Sequence, residues 1–170
     1  MNKNFVMHIN AMEGMFPLGT GISRVRAIIN LMKEQGGHAG ISDIAEESDE
    51  DIDDLLPLIE ACRLLGLVTV NKSDLKLTKK GKSLSFSNFS KTIREGLSNV
   101  EPFKSVILVL GDGEVNTKDL FDTLRTKGIA FHEDDSASDQ MLRRLLIRWG
   151  VRSKLLSYNI ENDSWKLGKA

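Results

Sequence analysis

Apolar residues recur at helical spacing along most of the chain and give way to short alternating runs in two places. Val25, Ile28, Ile29 and Met32 fall at i, i+3, i+4 and i+7, which predicts a helix capped by Ser23 and stopped at Gly36-Gly37. A short helix over residues 42–47, capped by Ser42, turns Ile44 and Ala45 inward. A third helix is expected over 52–65, with Leu55, Leu56, Ile59 and Cys62 as its buried stripe and Gly66 at its end. Pro57 falls inside that stretch and predicts either a late start or a mild kink. After Gly66 the period changes. Residues 67–70 and 75–78 are β-prone runs around an Asn71-Lys72-Ser73-Asp74 turn, a hairpin. Thr78 then caps a short helix, and a linking helix over about 86–97 places Phe89, Ile93 and Leu97 inward.

The second half repeats this grammar without repeating the sequence. A helix over 101–110 carries Phe103, Val106, Ile107 and Leu110, and Gly111-Asp112-Gly113 makes a turn. Asn116 or Thr117 caps a helix ending near Lys127, with Leu120, Phe121 and Leu124 inward. Residues 129–136 read as an irregular loop. Ser136 or Ser138 is expected to cap a third helix whose core positions are Met141, Leu142, Leu145, Leu146 and Trp149 and which stops at Gly150. A second hairpin pairs residues 155–160 with 164–167. The predicted class is therefore mainly α with small β-hairpins. Three helices and a hairpin, used twice, describe tandem winged-helix (helix-turn-helix) units. The domains are drawn as an N-terminal lead-in at 1–21, a first unit at 22–82, a linker helix at 83–98 and a second unit at 99–170. In the lead-in, Phe5, Met7 and Ile9 hint at a short strand, and Met12, Met15, Phe16 and Leu18 could cover a groove. One helical core with two decorative hairpins is the alternative architecture.

Composition narrows the class of function. The chain has 170 residues, 23 Lys plus Arg against 24 Asp plus Glu, and a formal net charge of -1. That balance argues against a basic nucleic-acid coat, though not against a local basic patch. The longest aliphatic run, residues 106–110, is far short of the roughly 20 apolar residues a membrane span needs. The start lacks the apolar block of a secretory signal, and a single cysteine, Cys62, fits a reducing compartment. A cytoplasmic protein without direct membrane insertion is expected.

Charge is concentrated in two places. Residues 43–54 hold eight carboxylates in twelve positions and no base. Asp49, Glu50, Asp51, Asp53 and Asp54 form a candidate protein-docking surface. The same acids would also serve as a solvated turn that favours the next helix N-terminus. Their spacing is not that of a calcium loop. In a winged helix the third helix leads into the major groove, and Asp51, Asp53 and Asp54 there would face phosphates. The first unit is therefore not expected to bind DNA in the usual way. In the second unit Arg143, Arg144, Arg148, Arg152 and Lys154 follow one another, with Arg144 and Arg148 four apart. They are candidates for nucleic-acid contact, for pairing with another protein surface, or for a plain solvated face.

No catalytic constellation, cofactor fingerprint or metal-ligand spacing can be assembled. His8, His38 and His132 are scattered, and Cys62 lies on a helix stripe. If the linking helix is exposed, Phe86 and Phe89 would suit a C2 homodimer.

Certain runs resemble a known family. These are Ile44-Ala45-Glu46-Glu47, then Asp53-Asp54-Leu55-Leu56-Pro57-Leu58-Ile59-Glu60-Ala61, then Leu64-Leu65-Gly66-Leu67-Val68 and Leu77-Thr78-Lys79-Lys80-Gly81. Leu145-Leu146-Ile147-Arg148-Trp149-Gly150 and Leu155-Leu156-Ser157-Tyr158 complete the set. Together they resemble the AAA-associated C-terminal domain family over residues 17–167. That family commonly follows the ATP-binding subunit of ABC transporters of the nitrate, sulfonate and taurine class. After its Trp-Gly it usually continues Arg-Tyr-Ala, where this chain has Val151-Arg152-Ser153. The 170 residues contain no GxxxxGK[ST] phosphate loop, so they are not themselves the ATPase. The resemblance implies a non-enzymatic regulatory or adaptor protein without a cofactor, whose partner is a transporter ATPase subunit or another protein. The competing expectation is a winged-helix transcriptional regulator that binds DNA through residues 143–154.

Overall fold

The computed structural model describes residues 14–169. The alternation at Phe5, Met7 and Ile9, together with His8 and Met12, lies outside the described residues. The chain divides into two compact units, one spanning 16–97 and the other running from Ser98 onward and including Met15, which bridges to Glu101.

In the first unit α1 (Ile22–Glu34) buries the expected face, Val25, Ile28, Ile29 and Met32. Gly21, not Ser23, is its N-cap; Ser23 sits exposed inside the first turn. Next come β1 (His38–Gly40), α2 (Ile41–Ser48) and α3 (Ile52–Leu64). Gly40 rather than Ser42 caps α2, and its N–H donates to the Asp43 carboxylate at 3.3 Å. Pro57 does not delay α3. The Asp51 carbonyl accepts from the Asp54 and Leu55 N–H groups and starts the helix at Ile52. The bond Pro57 cannot make would end on the Asp53 carbonyl, in an exposed first turn where water can serve it. The buried stripe of α3 is Leu55, Leu58, Ile59, Ala61 and Cys62. Leu56, expected inside, is 46% exposed.

A hairpin of β2 (Val68–Asn71) and β3 (Asp74–Leu77) follows, turning at Lys72-Ser73. β1 pairs antiparallel with β3, His38 opposite Lys76, so the sheet order is β1-β3-β2. The short helix α4 (Lys79–Ser83) is capped as predicted: the Gly81 N–H donates to the Thr78 hydroxyl at 3.0 Å. α5 (Phe89–Leu97) buries Phe89, Ile93 and Leu97 and belongs to this unit.

The second unit repeats the order. α6 (Phe103–Leu110) precedes β4 (Val115–Asn116), α7 (Thr117–Thr126), α8 (Asp135–Leu145), β5 (Leu156–Asn159) and β6 (Ser164–Leu167). Its sheet runs β4-β6-β5, the same first-third-second order as in the first unit. Asn116 caps α7 through its side chain. Asp134 caps α8, accepting from the Ala137 N–H at 2.8 Å; neither Ser136 nor Ser138 does so. Ser138 is instead buried, and its hydroxyl accepts from the Phe131 N–H at 2.9 Å. Gly150 does not end the helix. A π-helical turn over Leu146–Val151 continues it. Gly150 is there for space: a Cβ would stand 2.6 Å from the Leu156 side chain, where the turn packs on β5. Trp149 and Trp165 are fully buried in this core. The described residues thus form a mainly α chain with two small antiparallel sheets, the class the sequence predicts.

Candidate functional site

The turn between α2 and α3 brings the predicted acids together. Asp49 ends α2 in the left-handed region, with φ 54°. Asp51 precedes the first turn of α3, where Asp53 and Asp54 meet the positive end of the helix dipole. Glu50 is not free: it forms an ion pair with Arg24 of α1. Asp49, Asp51, Asp53 and Asp54 are exposed. Beside them the solvent side of α3 carries Ile52 and Leu56, 44% and 46% exposed and one helical turn apart. Farther along, Arg63 donates to both oxygens of Glu60 at 2.8 and 2.6 Å, and this bond holds the Glu60 carboxyl below its ordinary range. The open face of α3 is thus apolar at two points and acidic around them. The sequence pattern misses Ile52 and Leu56; the two missing polar residues on that face are the available signal.

The basic candidates separate. Arg143 is drawn into the unit: its guanidinium donates to the Tyr158 hydroxyl at 2.8 Å and to Asp163 at 3.0 Å. It also lies over the Tyr158 ring, 5.6 Å from the centroid. The Asp163 carboxylate further accepts from Thr117 and Tyr158, both at 2.7 Å. These bonds, led by Arg143, hold the Asp163 carboxyl well below the usual carboxylate range. Trp165 closes the network, its indole N–H donating to the Thr117 hydroxyl at 2.8 Å. Arg144, Arg148, Arg152 and Lys154 are exposed, and none forms an ion pair among the described residues. Asp139, near the start of α8, is bound by Arg125 at 2.7 Å. Nothing local in the sequence joins Thr117, Arg143, Tyr158 and Asp163; only the fold does.

The remaining candidates are structural. Cys62 is buried, and desolvation pushes its thiol up to about 12. His132 accepts the Asp134 N–H on Nδ1 at 3.0 Å. Among the described residues no three His, Cys, Asp or Glu side chains stand close enough to hold a metal. Phe86 and Phe89 do not form the expected stripe. Phe89 is buried, Phe86 is 85% exposed, and the Arg26 guanidinium lies over both rings.

The sequence model of the C-terminal AAA-associated domain matches residues 42–159, from α2 to the end of β5. The chain belongs to this family. The match takes in both charged segments, the acidic turn and residues 143–154. The family is one of ATPase-associated regulatory domains rather than catalytic ones. No curated protein and no solved structure matches the chain. Among the described residues no helix is long and apolar enough to cross a membrane.

Proposed function

We propose that this protein is a non-catalytic regulatory adaptor that binds a protein, the ATP-binding subunit of an ABC transporter, through the open face of α3. Each unit is read as a winged helix, from its order of helices and its first-third-second sheet. In such a unit α3 occupies the place of the groove-reading helix. The observation that carries the reading is what α3 presents there: Ile52 and Leu56 exposed beside Asp51, Asp53 and Asp54. Carboxylates gain no counterion release from phosphates. Covering the exposed halves of two aliphatic side chains, by contrast, is worth about 1–2 kcal/mol. Such a face suits protein better than nucleic acid.

The test is titration calorimetry of the full chain with the ATP-binding subunit of a nitrate-, sulfonate- or taurine-class ABC transporter from the same organism. Binding by the native chain and at least tenfold weaker binding by Leu56→Glu, with unchanged thermal unfolding, support the reading. Equal binding by both contradicts it.

A second reading, duplex DNA contact in the second unit, is favoured by Arg144, Arg148, Arg152 and Lys154 standing exposed with no ion pair among the described residues. A mobility shift that weakens steeply with salt and falls in an Arg144→Ala, Arg148→Ala variant would support it.

A further inference from the structure

The first unit also holds an apolar groove between α1, α2 and α3. Ala27 and Leu31 of α1 form its accessible apolar wall, over a nearly covered floor of Ile28, Ile44, Leu55 and Leu58, and the cavity measures about 230 Å³. Pockets for drug-sized ligands run about 300–1,000 Å³, so this one suits anchoring side chains instead. Its mouth is charged on one side. Glu47 and Glu50 stand at the rim, and Glu50 also borders an adjoining hollow lined by Glu46, Asp49, Asp51 and Asp54. Arg24 is the cation lining the groove, and Glu50 already holds it. An occupant must therefore be apolar where it enters and basic where it leaves.

We infer that this groove takes a basic amphipathic helix of the partner, with aliphatic residues one turn apart in the cavity and Lys or Arg side chains over the acidic rim. Helix-in-groove recognition reads such i, i+4 anchors. The inference rests on the protein-binding reading above and adds a second contact, separate from Ile52 and Leu56. It names the chemistry of the segment to look for in the ATPase.

The probe is a fluorescein-labelled Leu/Lys amphipathic peptide of about 14 residues, long enough to hold a helix once docked. Its control is the same peptide with every Lys replaced by Glu. Anisotropy is read on the full chain. The Leu/Lys peptide is expected to bind at least tenfold tighter than the Leu/Glu peptide and to weaken with salt. Ala27→Trp, at an exposed position on the groove wall, should cut that binding at least tenfold with thermal unfolding unchanged. Glu47→Lys gives an independent readout, weakening the Leu/Lys peptide and strengthening the Leu/Glu one. Equal binding of the two peptides, or binding indifferent to both substitutions, would overturn the inference. If the peptide fails while ATPase binding persists and depends on Leu56, the groove falls and the adaptor reading stands. If the peptide binds as expected and the ATPase does not, the adaptor reading falls and the groove's chemistry stands.

Discussion

Arg143 and Asp163, twenty residues apart, are joined by two guanidinium–carboxylate contacts at 3.0 and 3.4 Å, with the Tyr158 hydroxyl bonded to both partners. The pair ties α8 to the turn of the β5–β6 hairpin. Through Thr117 it also reaches the start of α7. It removes Arg143 from any phosphate-binding strip.

Breaking this tie should loosen the second unit modestly, because both side chains are part-exposed. Arg143→Ala is expected to cost about 1 kcal/mol in chemical denaturation. A cost indistinguishable from zero would mean the network is ornamental.

The same tie has a pH signature. The folded Asp163 carboxyl titrates below the unfolded one, so its contribution is fully present above the unfolded value near 4 and is lost as pH falls below it. Asp163→Asn tolerates the φ of 47° at this position. The difference in Tm between native and Asp163→Asn protein should be constant from about pH 5 to 8 and shrink below about pH 4. A difference that grows toward acid would reverse the assignment.

Gly81 and Thr78 make the closure of the first hairpin testable. The Thr78 hydroxyl donates to the Gly66 carbonyl at 2.6 Å while accepting from Gly81. Thr78→Ala should cost about 1 kcal/mol as a lost cap. A Cβ at Gly81 would stand 2.1 Å from the Leu67 carbonyl oxygen, a backbone atom that cannot swing away. Gly81→Ala should therefore cost about 3 kcal/mol, well above the loss of the cap. Equal midpoints in urea would show that α4 packs differently.

Cys62 should be inert in the native state. Its thiol is buried and pushed up to about 12, so almost no thiolate exists at pH 8. Labelling by a disulfide reagent is expected to proceed at the rate of unfolding and to accelerate with denaturant. Immediate labelling in native buffer would contradict its burial.

Much of this fold is legible in the sequence. Helical stripes such as Val25, Ile28, Ile29 and Met32, and the two hairpins, announce themselves by period alone. What escapes is decided by distant neighbours. Leu55, Leu56, Leu58 and Ile59 are all apolar, so period cannot choose between Leu56 and Leu58; contact of α3 with α1 and α2 does. β1 is three residues without a pattern, and pairing with β3 makes it a strand. Gly150 looks like a helix stop but serves close packing on Leu156. At the candidate site the acids are legible as a cluster. The exposure of Ile52 and Leu56, which gives the cluster its direction, is not.

Both aliphatic side chains on α3 project to solvent, so replacing them should spare the fold. Ile52→Glu and Leu56→Glu are each expected to change stability by no more than about 0.5 kcal/mol. A large loss in thermal unfolding would mean that these residues are structural and would remove them as a docking face.

The most direct measurement is hydrogen–deuterium exchange of the full chain, free and saturated with the ATP-binding subunit. Docking through α3 should add protection over residues 49–60 and leave residues 143–154 unchanged. Protection confined to 143–154, or none at saturation in 49–60, would contradict it.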